Sequence, residues 1–219
     1  MASPLTASTT TDHHVRLWFD PVCPWCWVTY QWLREVRANH ALRIDLSLMS
    51  LAFLNEGRPE VPDKYKAPTA RSLQIVRVIA AAESTAGSGV LEPMYDSLGK
   101  YLHVDRGRDF ELANRMALSA AGLETTLAHA AGTTEHDDLL RSATRTSVSS
   151  VGPDVGTPIV EFNGTALFGP ILSRIPRGQK AVDLFESLTT IASYPHFFEL
   201  KRQRTEDPHL GESRDGAAG

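Results

Sequence analysis

Cysteine is nearly absent from this chain: its 219 residues include two, Cys23 and Cys26, and none elsewhere. A pair that close cannot staple a chain of this length, which excludes a disulfide scaffold. In a reducing compartment such a pair is expected to hold a metal or to do chemistry. No apolar run is long enough to cross a bilayer. The start, MASPLTASTTTDHH, has no basic stretch followed by an apolar one, so residues 1–14 read as a disordered tail rather than a secretory signal. Neither sign of charge is in large excess. Lys and Arg number 22 against 26 Asp and Glu, a formal net charge of -4, which leaves no electrostatic footprint for nucleic acid or an anionic membrane. A dinucleotide or phosphate-loop fingerprint is also missing, so bound NAD or flavin is not expected. At 42% hydrophobic residues, the chain does have the apolar material for a sizeable core.

Signals of structure begin at Val15. VRLWF, Val15 to Phe19, reads as a buried strand ended by Asp-Pro. The cysteines follow at once in FDPVCPWCW. CWVTYQWLREVRANH then sets Trp27, Tyr30, Leu33 and Val36 at helical spacing with charge on the other face. LRIDLSLMSLAF, Leu42 to Phe53, alternates through Leu42, Ile44, Leu46 and Leu48 and reads as a strand. A β-α-β unit with a parallel pair and a right-handed crossover is therefore expected. The middle of the chain turns helical and rich in alanine, punctuated by Gly87, Gly89, Gly107 and Gly122. Strand signals return in DVGTPIVEFNGTALFGPIL, where Asn-Gly joins two apolar runs as a hairpin. QKAVDLFESLTTIAS then places Val182, Phe185, Leu188 and Ile191 on one helical stripe. The expected organisation is an α/β domain over residues 15–62 and 150–193, an inserted all-helical subdomain at 63–149, and a polar, frayed C-terminal tail at 194–219.

A thiol attacks only as thiolate, so a reactive cysteine needs something that stabilises its charge near neutral pH. The spacing puts Cys23 at the mouth of the first helix, where unpaired backbone N–H groups act in that way. Cys26 lies one turn on, on the same face and more buried. Cys23 then attacks, a mixed disulfide forms, and Cys26 displaces what was captured. Pro24 suits the first helical turn, and Trp25 offers a flat apolar surface beside the sulfur. Two other readings of the pair are buried thiols without chemistry and half of a zinc site. Zinc needs two further ligands, and His13 and His14 belong to the expected tail; no metal is expected. Pro158 in VGTPIV follows Thr157 at a strand entrance, either as an ordinary trans proline or, as the upstream motif favours, in a cis bond that lets Thr157 pair with an extended substrate. Asp20 either assists proton transfer near Cys26 or caps the loop before the helix. His103 is either a base or a surface or capping residue. Arg174 and Arg177 either hold a carboxylate of a thiol cofactor or form a solvated face. Trp18, Trp27 and Trp32 are core candidates.

The order strand, C-x-x-C helix, helical insertion, Gly-Thr-Pro, hairpin and final helix resembles the DsbA-like branch of the thioredoxin fold over residues 15–193. The strings WFDPVCPWCW, MSLAFLNE, DVGTP, FGPILSRIPRG and SYPHFFELKRQRTE resemble more narrowly the mycothiol-dependent nitroreductase family of actinobacteria, as far as Glu206. The resemblance implies a cytoplasmic enzyme. It would take electrons from mycothiol, a low-molecular-weight thiol, through Cys23 and Cys26, and deliver them to nitroaromatic compounds or disulfides. It also implies that Pro158 is the cis proline beside the pair, and that Pro24, Trp25, Asn55, Tyr65 and Thr157 meet the substrate. A homodimer is compatible with it. Two functions of other kinds stay open. One is a non-redox enzyme similar to kappa-type glutathione transferases and 2-hydroxychromene-2-carboxylate isomerases, which have Ser where Cys23 stands and no pair. The other is a binding or holdase protein whose cysteines act as a redox switch.

Overall fold

The computed structural model describes residues 13–59 and 62–210; most of the expected N-terminal tail and the segment 211–219 lie outside the described residues. Four strands form one sheet in the order β2-β1-β3-β4. β1 (His13–Phe19) and β2 (Leu42–Leu48) pair in parallel, joined by α1 (Pro24–Asn39) as the crossover. β3 (Ile159–Phe162) runs antiparallel to β1, and β4 (Thr165–Phe168) antiparallel to β3. The turn between them is Asn163-Gly164 at φ 49° and 95°, left-handed backbone that asparagine tolerates and glycine adopts freely.

Pro24 starts α1 because a first-turn residue has no helical partner for the N–H that proline lacks. Trp27, Tyr30, Leu33 and Val36, the expected stripe, are buried, as are Cys26, Val28, Thr29 and Trp32. The helix is buried over more than one stripe because it has neighbours on several sides. The final helix α7 (Gln179–Ala192) lies along it, and the Trp32 indole N–H reaches the Ala181 carbonyl at 3.0 Å. Each large side chain removed from water there contributes roughly 1.5–3 kcal/mol.

The insertion consists of α3 (Asp63–Ala86), a 3₁₀ turn at Ser88–Val90, α4 (Leu91–Gly99), a π-turn at Lys100–Val104, α5 (Phe110–Ala120), a 3₁₀ stretch at Thr125–Gly132 and α6 (Asp137–Ser149). It docks on α1 through a glycine. A Cβ at Gly99 would lie 2.0 Å from the Trp27 ring, so only the missing side chain lets α4 approach so closely. Beside that contact, Tyr30 and Arg34 of α1 reach Asp96 of α4 at 3.0 and 2.8 Å, and Arg37 pairs with Glu92.

Three boundaries differ from expectation. β1 begins at His13, inside the expected tail, because β2 and the hairpin both pair with it: His13 N–H donates to the Ala41 carbonyl, and His14 N–H to Asn163 Oδ1 at 3.0 Å. β2 ends at Leu48 rather than Phe53. The chain turns into a short helix, α2 (Leu51–Leu54), where Ser50 Oγ accepts the Phe53 N–H and the Asp20 carboxylate accepts the Leu51 N–H. The C-terminal segment is not frayed over 194–210. His209 N–H donates to the Ser173 carbonyl at 2.7 Å, Glu206 pairs with Arg174, and the Leu210 carbonyl accepts the indole N–H of Trp27 at 3.2 Å. A buried indole N–H needs an acceptor, and this strap supplies it.

Candidate active site

Cys23 caps α1 from outside the helix, with extended backbone and its N–H on the Asp20 carbonyl at 3.0 Å. It is 6% exposed, whereas Cys26, one turn further in, is fully buried; both are free thiols. The Thr157–Pro158 bond is cis, as the sequence favours, and Pro158 delivers β3 to this corner. The Cys23 thiol faces the Thr157 carbonyl at 3.7 Å. Thr157 Oγ1 is buried without a hydrogen-bond partner and lies by both sulfurs.

The two thiols are driven apart. The Cys26 S–H, donating to the Cys23 sulfur, does most to hold the Cys23 thiol below its ordinary value; the Thr157 hydroxyl and the Cys26 backbone N–H add to it, while burial and the Asp20 charge oppose them. Burial pushes the Cys26 thiol well up, and its role as donor to Cys23 pushes the same way. The sequence points to the helix N-terminus as the stabiliser of Cys23. In the structure the first contribution is its own partner sulfur, and the helix enters through one N–H, that of Cys26.

Asp20 lies beneath the pair, fully buried, its carboxyl pushed up to about 6 by burial. Its oxygens accept the Val22 N–H at 3.0 Å, the Leu51 N–H at 2.8 Å and the Ser72 hydroxyl at 3.3 Å. This is the loop-capping role, extended to two further elements: one carboxylate ties the cysteine loop to the start of α2 and to α3. His103 departs from the surface or capping expectation. The π-turn carries it inward, where it is 6% exposed and its Nε2 meets the Pro21 carbonyl at 2.9 Å. Burial lowers it to about 4, so the ring is neutral at pH 7 and holds its proton on the nitrogen facing that carbonyl. It links the helical insertion to the cysteine loop.

Trp25 is half-buried, and the guanidinium of Arg204, from the C-terminal strap, lies 5.3 Å from its ring centre. Asn55 ends α2, anchored through Leu51 to the Asp20 corner. Tyr65 stands in the first turn of α3, and its side chain lies outside the described residues. Arg174 and Arg177 do not form a free basic face: Arg174 pairs with Glu206 and Arg177 with Glu35. Trp18, Trp27 and Trp32 are all core, Trp18 in a separate apolar cluster with Met49, Leu54 and Ile159. Among the described residues no group of three or more His, Cys, Asp or Glu could hold a metal; His14 instead bonds Asp45 at 2.7 Å. A cleft of about 330 Å³, floored by Phe53 and Leu54 and edged by Arg141 and Arg145, shares no lining residue with the sulfur corner. Sequence reading misses Ser72, Arg204 and Leu210. Only Arg204 had a signal, inside ELKRQR, and nothing in the string says that it folds back.

A strand-to-helix cysteine pair beside a strand-opening cis proline, on a four-stranded sheet interrupted by helices, defines a DsbA-like thioredoxin-fold protein. Solved structures agree on the fold: a probable DsbA oxidoreductase from Streptomyces coelicolor matches at TM-score 0.54 and 17% identity, covering 94% of this chain and 98% of that one. A cytosolic disulfide reductase DsbM from Pseudomonas aeruginosa, solved with GSH, matches at TM-score 0.53 and 14% identity, over 81% and 99%. A 2-hydroxychromene-2-carboxylate isomerase also shares the fold, at TM-score 0.53 and 13% identity, over 81% and 94%. The chain belongs to the family of the mycothiol-dependent nitroreductase Rv2466c, whose model matches residues 22–202. It is also 31% identical over 202 residues to the uncharacterized protein Rv2286c of Mycobacterium tuberculosis, covering 90% of this chain and 83% of that protein.

Proposed function

We propose that the protein is a cytoplasmic thiol–disulfide oxidoreductase that uses the Cys23–Cys26 dithiol, takes its electrons from mycothiol, and reduces disulfides or nitroaromatic compounds. The observation that carries this is the placement of the two thiols: Cys23 sits at the cap of α1, 6% exposed and facing the Thr157 carbonyl beside the cis Pro158, while Cys26 is fully buried one turn further in, and the two thiols shift in opposite directions. A lowered, slightly exposed thiol is the attacking one. A raised, fully buried thiol has to wait until its neighbour is committed.

Toward a disulfide, the Cys23 thiolate attacks one sulfur and releases the other half as thiolate. Cys26 then attacks the Cys23 sulfur of the mixed disulfide. It gives up its proton as the second half leaves, and the protein ends as the Cys23–Cys26 disulfide. The Thr157 hydroxyl holds the Cys23 charge before attack. Cys23 is also the only one of the two sulfurs that an incoming thiol can reach, so the residues present fit a low-molecular-weight reductant. One mycothiol opens the disulfide at Cys23, and a second releases the first as mycothiol disulfide. With a nitro acceptor, the dithiol supplies two electrons and two protons, giving the nitroso compound and water, and Trp25 is the surface against which the ring lies. Pro24 and Asn55 complete this reading as walls of the site, and Tyr65 joins them by resemblance.

The test is direct. Oxidised protein is offered mycothiol, glutathione and thioredoxin separately, and free thiols are counted. Mycothiol should restore both thiols fastest. Cys23→Ser should abolish turnover, and Cys26→Ser should accumulate a mixed disulfide detectable by mass. Turnover retained in the double Cys→Ser variant would sink the redox reading and favour the non-redox enzyme.

A further inference from the structure

We propose that Arg204, held by the C-terminal strap over Trp25, forms a subsite for the negatively charged group of an aromatic acceptor, a carboxylate or sulfonate, and so sets which acceptors Cys23 reaches. The inference rests on the reading of Cys23 as the attacking thiol.

The strap brings a charge to the mouth of the site. The guanidinium of Arg204 lies over the indole of Trp25, separated from the attacking cysteine only by Pro24 in sequence. A guanidinium held over an aromatic face by cation–π attraction keeps N–H donors that can receive a carboxylate or sulfonate. The position is not accidental to a loose tail. Glu206 is bound to Arg174, His209 N–H to the Ser173 carbonyl, and the Leu210 carbonyl to the Trp27 indole, all within six residues of Arg204.

Arg204 is also uncommitted. It has no carboxylate within ion-pairing distance among the described residues, although Glu199 and Asp207 flank it on the strap. The two arginines nearest in role are consumed, Arg174 by Glu206 and Arg177 by Glu35. Around this site the chain as a whole carries a net charge of -4, and Asp20 lies buried behind the cysteines. With no strong field from the chain as a whole, docking of an anionic acceptor is decided by a cation at the mouth itself. Arg204 does not act through the thiol itself: the groups that lower Cys23 are Cys26 and Thr157.

Two aromatic disulfides separate the possibilities: dithiobis(nitrobenzoate), a dianion, and dithiodipyridine, which is neutral. In each, the Cys23 thiolate attacks sulfur and expels one aromatic thiolate. Cys26 then closes the protein disulfide and expels the second, releasing its proton. Single-turnover rates of the reduced protein are followed by absorbance of the released thiols, across ionic strength. Arg204→Gln should lower the second-order rate constant for the dianion by about five-fold, mostly through weaker binding before attack, and flatten its salt dependence, as expected for the loss of one exposed charge. The neutral disulfide should change far less. Arg204→Lys should recover part of the dianion rate. Equal slowing of both disulfides, or no change in either, would overturn the subsite. If Cys23→Ser still reduces both, it is the thiol reading that fails, and the subsite falls with it.

Discussion

The sulfur corner and the outer rim of the molecule both hold polar groups together, but on different terms. In the corner, Asp20, His103, Thr157 and the two thiols are nearly or wholly out of water; Asp20, His103 and Cys23 are answered by backbone atoms, with the Ser72 hydroxyl adding to Asp20. On the rim, Arg174–Glu206, Lys100–Asp105 and Arg115–Glu111 pair side chain with side chain in contact with solvent. Water can replace a rim partner; in the corner nothing can. Titration and reactivity are accordingly set in the corner, while the rim positions segments.

The largest test uses pH, because two corner groups titrate in opposite senses. His103 is lowered to about 4 from 6.5, so below pH 6.5 the unfolded chain takes a proton that the folded chain refuses, and stability is lost on acidification. Asp20 is raised to about 6 from 3.8, so the folded chain keeps a proton that the unfolded one releases. Its contribution is greatest below pH 3.8 and is lost as pH rises through 6. At about 1.4 kcal/mol per pH unit, each amounts to about 3 kcal/mol across its window. Urea unfolding from pH 4 to pH 7 should show the stability difference, wild type minus Asp20→Asn, growing by about 3 kcal/mol toward acid. The difference wild type minus His103→Gln should shrink by a similar amount. Parallel slopes would mean that the corner is wetter than its burial implies.

Next in size is the docking of the insertion. Gly99→Ala forces a Cβ into the Trp27 ring and should cost about 2 kcal/mol, measured by urea unfolding. Shrinking the ring in the double variant with Trp27→Leu should cost less than the two single changes summed, since the two sites touch. A strictly additive pair would show that α4 simply moves away, and that the corner tolerates change as the rim does.

These two tests concern residues that the chain itself reveals unequally. Cys23 and Cys26 are legible because a strand-then-helix pattern surrounds them, and Asn163-Gly164 because few residue pairs favour two left-handed residues in a tight hairpin. The stripe on α1 is legible from its period. His103 is not, because its burial depends on a π-turn that shifts the helical phase after Gly99, and periodicity assumes a constant phase. The break after Leu48 is missed because LSLMSLAF stays apolar past Leu48 even though its alternation changes phase at Met49, while the contact that ends the strand, the Asp20 carboxylate on Leu51 N–H, comes from 31 residues away. The strap is missed for the same reason. Its composition is that of a solvated tail, and what holds it, Ser173 and the indole of Trp27, is remote in sequence.

The smallest effect on stability belongs to the strap's own ion pair. Arg174 and Ser173 lower the Glu206 carboxyl to about 2, yet the pair is exposed, and water replaces what Glu206→Gln removes. Global unfolding in urea should therefore be unchanged within error. The strap should still respond. With one anchor gone, residues 194–210 depend on His209 N–H and the Leu210 carbonyl, and amide exchange there should quicken while α1 and the sheet keep their protection. Trp27 fluorescence should shift only as far as its indole N–H loses the Leu210 carbonyl. A global loss of stability matching that of Gly99→Ala would erase the distinction between corner and rim, because an exposed pair would then be acting like a buried contact.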